Sequence, residues 1–264
     1  MPSSAAAQQD SRHWIQYFQQ NAARRPLPWD DPYRLSPGER RAVAHSIQQF
    51  QLGEGAQGRG FVRRAESYAR DAGDPNFVGA LRLFIAEEQR HSAHLARFMA
   101  QQNIPTLETY WMDTVFRRLR KFAGLEVCAG VLVSAELIAL PYYRALCGAT
   151  RSPLLRALCR RILRDEVYHL RFQAAMLARL RLRRTGPLRQ ISSALHRLFY
   201  IGTLTVVWIE HRPVFARAGY TFWRYFTECQ RRFARFDAEI ERLLSIFRRN
   251  TSPWTARLAA DEHR

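Results

Sequence analysis

Residues 87–91 read Glu-Glu-Gln-Arg-His and residues 165–169 read Asp-Glu-Val-Tyr-His, so one pattern, acid-Glu-x-x-His, occurs twice in the chain. Residues three apart on an α-helix share a face, so Glu88 and His91 can reach one ligand, as can Glu166 and His169. The spacing alone recurs by chance; the surroundings of the pairs decide the reading. Around the first, an apolar stripe runs Leu81, Phe84, Ile85, then Glu88 and His91, then Leu95 and Phe98. Around the second it runs Leu155, Leu158, Ile162, then Glu166 and His169, then Met176 and Leu180. Both pairs therefore interrupt a core-facing stripe at its middle. Carboxylates buried there are costly unless they are paired or hold a metal.

Two further stretches carry one such interruption each. Val43, Ile47, Phe50, Glu54, Gln57 and Phe61 follow at helical spacing, and Glu136 stands inside the apolar run 131–140, VLVSAELIAL. Helix punctuation frames all four stretches. Ser36-Pro37-Gly38-Glu39 offers an N-cap, a first-turn proline and a capping-box glutamate. Asp74-Pro75 and Ser152-Pro153 repeat the cap-then-proline signal, and Gly148 and Gly186 stand where helices could end. We expect an all-α chain with helices at about 39–70, 75–101, 122–147 and 153–184, then two more near 188–211 and 213–249. The second-to-third connection, 102–121, is the long crossover of a four-helix bundle. Residues 1–35, with Pro26, Pro28 and Pro32 after a short amphipathic piece (Trp14, Ile15, Phe18), read as an N-terminal arm. The bundle occupies 36–186, and 187–264 form a C-terminal helical extension packed on it.

The 264 residues are 47% hydrophobic, enough for a sizeable core, and carry 41 basic against 23 acidic residues for a net charge of +18. Lys121 is the only lysine. Such a field favours an acidic carrier protein, an anionic substrate or, less favoured, nucleic acid. Arg179–Arg184 with Arg117, Arg118, Arg120 and Lys121 are candidate docking cations. Cys128, Cys147, Cys159 and Cys229 show no CxxC spacing, which argues against a zinc site or disulfide framework and suits a reducing compartment. The N-terminus shows no secretory signal, and the uncharged runs Val127–Ala135 and Leu198–Ile209 fall short of a membrane span. A cytoplasmic protein without a transmembrane segment is expected.

The set Glu54, Glu88/His91, Glu136, Glu166/His169 resembles the ferritin-like di-iron carboxylate superfamily: bacterioferritin, rubrerythrin, acyl-carrier-protein desaturases and the radical-generating subunit of ribonucleotide reductase. Residues 87–99, EEQRHSAHLARFM, are similar to the desaturase Glu-Glu-Asn-Arg-His segment, and 165–169 to its Asp-Glu-x-x-His. The likeness spans residues 40–180. It implies a ferritin-like bundle holding two iron ions, with manganese, mixed iron–manganese or zinc as alternatives, and dioxygen as cosubstrate. Glu88 and Glu136 would be the bridging or chelating carboxylates beside Glu54, His91, Glu166 and His169. Asp165 would orient His91, and Glu87 would orient His169. His211 is a candidate extra ligand, and His94 a candidate outer partner.

On this resemblance the chain is a dioxygen-activating oxidoreductase, a hydroxylase, desaturase or oxidase acting on an apolar or carrier-bound substrate. Two alternatives are an iron-handling or peroxide-detoxifying protein and a tRNA-modifying hydroxylase. Leu95 stands where the reductase subunit keeps its radical tyrosine, which disfavours that role. Without a rubredoxin-like cysteine pair, electrons would come from an external donor. A homodimer is expected. Pro141 should kink its helix, and Tyr168 should point away from the centre.

Overall fold

A computed structural model describes residues 11–23, 26–55, 59–111, 124–182 and 186–250. Among these the chain is helical, without strands: α1 (Ser11–Ala22), α2 (Pro37–Glu54), α3 (Arg59–Ala72), α4 (Phe77–Gln101), α5 (Leu125–Ala149), α6 (Pro153–Leu182), α7 (Gly186–Glu210), α8 (Arg212–Arg217) and α9 (Phe222–Asn250). The crossover residues 112–121, Gln57, and the cations Arg117, Arg118, Arg120, Lys121, Arg183 and Arg184 lie outside the described residues.

The helix starts follow local chemistry. Ser36 accepts from the Glu39 backbone N–H, and Glu39 accepts from the Ser36 N–H, a complete capping box. Ser152 Oγ caps α6 by accepting from the Leu155 N–H at 3.2 Å. Asp74 behaves differently from the expectation. Phe77 opens α4, with Asn76 in the cap position, while Asp74 accepts from Ser11 and Arg179 and so ties α1 and α6 together.

Three boundaries differ from the periodicity reading. The first helix is two, because α2 stops at Glu54 on a Gly55 cap and α3 begins at Arg59. The glycines at 53 and 55 flank Glu54, and their low helix propensity suits a break there. The last helix is also two: Gly219, with φ of 71°, turns the chain between α8 and α9. Gly186 opens α7 rather than ending α6.

The core forms where α2 packs on α4 and α5 packs along α6, with α4 meeting α6 between the pairs. Phe84, Leu95, Phe98, Leu137, Leu158 and Ile162 are buried there. The arm is not separate from it. Trp14 and Phe18 of α1 insert among Phe84 and Phe172, and α1 lies on α4. The C-terminal helices also join: α9 lies along α6 and α5, and α8 contacts α5 and α2. Helix α5 is long and apolar enough to cross a membrane by composition, yet it is buried within the molecule and continues through Pro141.

A candidate metal centre

Each helix of the core contributes to one buried cluster of acids and imidazoles. Glu54 ends α2, Glu88 and His91 stand mid-α4, Glu136 mid-α5, and Glu166 and His169 mid-α6. All six are buried. They form two overlapping groups, Glu54–Glu88–His91–Glu166 and Glu88–Glu136–Glu166–His169, each with ligand-type atoms within 4.8 Å of one another. Glu88 and Glu166 belong to both. The shared pair is thus the two Glu-x-x-His glutamates, while Glu136, which the resemblance offers with Glu88 as a bridging or chelating carboxylate, belongs to the second group alone. The geometry explains why: each of these glutamates sits one turn from its own histidine and faces the other motif across the core.

The imidazoles are turned so that one nitrogen faces inward and the other is anchored outside. His91 Nε2 lies 3.1 Å from Asp165 Oδ2, and His169 Nε2 lies 3.0 Å from Glu87 Oε2. Each orienting carboxylate therefore comes from the opposite motif. On the inner side, His91 Nδ1 stands 3.8 Å from Glu54 Oε2 and 3.9 Å from both Glu88 Oε1 and Glu166 Oε1. His169 Nδ1 is 2.7 Å from Glu88 Oε1 and 3.4 Å from Glu166 Oε2, without an aligned hydrogen bond. Both Nδ1 atoms, Glu136 Oε2 and Glu166 Oε2 are buried without a hydrogen-bond partner. Buried polar atoms are almost always satisfied, so four convergent exceptions are what a group able to hold a cation would leave.

The electrostatics point the same way. Burial, followed by the charges of Glu54 and Glu166, pushes the Glu88 carboxyl up to about 8. Burial also raises Glu136 and Glu166, with Glu166 adding to the shift of Glu136. Burial acts upward on Glu54 too, but the nearby charge of His91 and the Tyr143 hydroxyl hold it below the usual range. Burial would neutralise His91, yet Asp165 and Glu54 outweigh it and lift the imidazole to about 10. His169 is raised likewise, burial being overcome by Glu88 and Glu166. Without a cation, then, the cluster favours protons on Glu88 and His91, in the place of external positive charge. Two divalent cations would balance four carboxylates and need neutral imidazoles.

Three further side chains complete the shell. Tyr143 donates its hydroxyl to Glu54 Oε1 at 2.6 Å, and the Gln173 amide donates to Glu136 Oε1. Gln173 lies four residues past His169 and Tyr143 seven past Glu136, so helical spacing could have found both. Asn21 could not have been found that way. From the end of α1 its amide donates to Glu87 Oε1 and, at 3.0 Å, to Asp165 Oδ1. The chain His91–Asp165–Asn21–Glu87–His169 therefore braces the two imidazoles together.

His211 stands elsewhere. Its Nδ1 is 2.8 Å from Ser46 Oγ, its ring packs on Phe50 and Tyr142, and it belongs to neither group. His94 lines a cleft of about 240 Å³ with Asn21, Trp29, Arg90 and Arg161, which reaches Glu87 and Asp165 from outside. Tyr168 stacks on Tyr17 of α1, away from the cluster.

Comparisons with protein-family models, curated proteins and solved structures find no match to this chain.

Proposed function

We propose that α2–α3, α4, α5 and α6 form a ferritin-like four-helix bundle holding two iron ions, and that the protein is a dioxygen-activating oxidoreductase. The observation that carries this reading is the pair of overlapping ligand groups sharing Glu88 and Glu166, each with one inward Nδ1. Carboxylate-rich N/O donors suit iron and manganese and lack the thiolates that favour a structural zinc site. When bound, such a pair supplies two reducing equivalents to dioxygen.

The chain's own residues prepare that chemistry. Glu54 and Tyr143 are locked by their 2.6 Å hydrogen bond, which limits rotation of the carboxylate. Asp165 and Glu87 hold the protons on the two Nε2 atoms, leaving each Nδ1 as a donor. Phe84 packs edge-on against His169, with Phe18 behind it, and keeps water from that side. The substrate would be apolar or carrier-bound, the electrons would come from an external donor, and the net charge of +18 would suit an acidic carrier or an anionic substrate.

Anaerobic loading with ferrous ion, followed by dioxygen mixing in an oxygen electrode, tests the reading. Uptake stoichiometric with bound iron, abolished in Glu166→Ala, is expected. Metal binding without oxygen uptake would refute the oxidoreductase. Iron accumulating far beyond two per chain would favour the iron-handling alternative.

A further inference from the structure

Eight large hydrophobic side chains are strongly exposed among the described residues, and seven of them lie on or beside α7. Ile191, Leu195, Leu198 and Ile209 are on the helix itself, 56–68% exposed. Val127 adjoins its N-terminal half, where Ser192 donates to Glu126 at 2.8 Å. Trp223 and Trp111 neighbour residues at its C-terminal end: Phe222 packs on Trp208, and Tyr110 lies within reach of the Glu210 charge.

The α7 residues on this face are Ile191, Leu195, Leu198, Gly202, Thr205 and Ile209, spaced 4-3-4-3-4, the seam of a helix that packs against another helix. Gly202 is exposed, with open space where a Cβ would point. Arg197 is the only formally charged residue between Gln190 and Ile209, in a chain that is 24% charged. Depletion of charge with exposed aliphatics and tryptophan marks the core of a protein interface. An anionic membrane surface would instead call for cations along the helix, and between Gln190 and Ile209 Arg197 is the only one.

We propose that this face pairs with the same face of a second copy, antiparallel about a two-fold axis near residue 200. Reversal puts Ile191 opposite Ile209, Leu195 opposite Thr205 and Leu198 opposite Gly202, so each large side chain in the middle meets a small one. The seam is about 27 Å long. The seven side chains present on the order of 800 Å², about what one partner contributes to a standard-sized interface. An isologous pair of this kind closes on itself and stops at two.

Light scattering coupled to size exclusion on the full chain tests this, together with Leu195→Glu/Leu198→Glu. A dimer is expected for the parent, and a dissociation constant raised ~100-fold or more in the double variant, with helix content and bound metal unchanged. Separately, Ile191→Cys and Ile209→Cys proteins should form a disulfide-linked dimer when mixed and little when alone, a result that stands even if the glutamate variant folds poorly. A monomeric parent, a dimer that survives both glutamates, or Ile191→Cys cross-linking to itself would overturn the proposal. So would a monomer that sediments with phosphatidylserine vesicles through this face.

Discussion

Replacing Asn21 by alanine removes the one amide that joins the two orienting carboxylates, Glu87 and Asp165. Both acceptors are buried, and burial by itself pushes each carboxyl up before His169 and His91 respectively pull it below its usual range. A hydrogen bond to a charged group is worth about 1.5–3 kcal/mol. The loss of two, softened by Arg90, which stays 2.9 Å from Glu87 Oε1, should lower the unfolding free energy of the metal-free protein by about 3 kcal/mol. For a chain of this size that is a fall of roughly 6–12 °C in melting temperature. Metal affinity should drop about 10–100-fold, as when second partners of metal-bound histidines are lost. Asn21→Asp keeps the shape but sets a third carboxylate against two, so it should be worse than alanine near neutral pH. Urea unfolding followed by circular dichroism, and Co²⁺ titration followed by its visible absorption, read the two effects. An alanine variant within about 0.5 kcal/mol of the parent, with an unchanged Co²⁺ spectrum, would refute the brace.

The ligand cluster itself should destabilise the metal-free fold. Glu88→Gln removes the cost of burying this carboxyl and its repulsion from Glu54 and Glu166, and should raise the apo unfolding free energy by about 1–2 kcal/mol while weakening metal binding; a lowered free energy would count against it. Acid stability should depend on His211. Burial foremost, then the charge of His45, holds His211 down at about 3 against an ordinary 6.5. The unfolded chain therefore takes up a proton below pH 6.5 that the folded one refuses until about 3, and stability falls over that window. At pH 5 this amounts to about 2 kcal/mol. His211→Gln should remove that increment from the pH 7 to pH 5 difference in urea midpoint, and an unchanged difference would refute it.

Much of the centre was legible because helices write their faces into sequence. Glu88, His91, Glu166 and His169 interrupt apolar stripes of period 3.6, and that pattern alone puts them inside. Glu54 and Glu136 were found the same way. What stayed hidden depends on contacts between distant segments. Asn21 is 66 residues from Glu87 and 144 from Asp165, on a piece whose proline-rich sequel reads as a loose arm. Trp14 and Phe18 already carried an apolar stripe, but nothing in their spacing says which helix buries it. Which glutamates are shared is set by how α4 and α6 face each other, a relation no single helix encodes. The break after Glu54 was visible in the glycines at 53 and 55, yet the apolar period runs across it and masked the stop.

Metal content, measured by inductively coupled plasma mass spectrometry on protein loaded with ferrous ion without oxygen and then desalted, decides whether these six side chains hold a dinuclear centre. Two irons per chain are expected in the parent, one for each of the two ligand groups that share Glu88 and Glu166, and none in Glu88→Ala/Glu166→Ala. No stoichiometric iron in the parent, or equal iron in the double variant, would contradict a metal centre built from these residues.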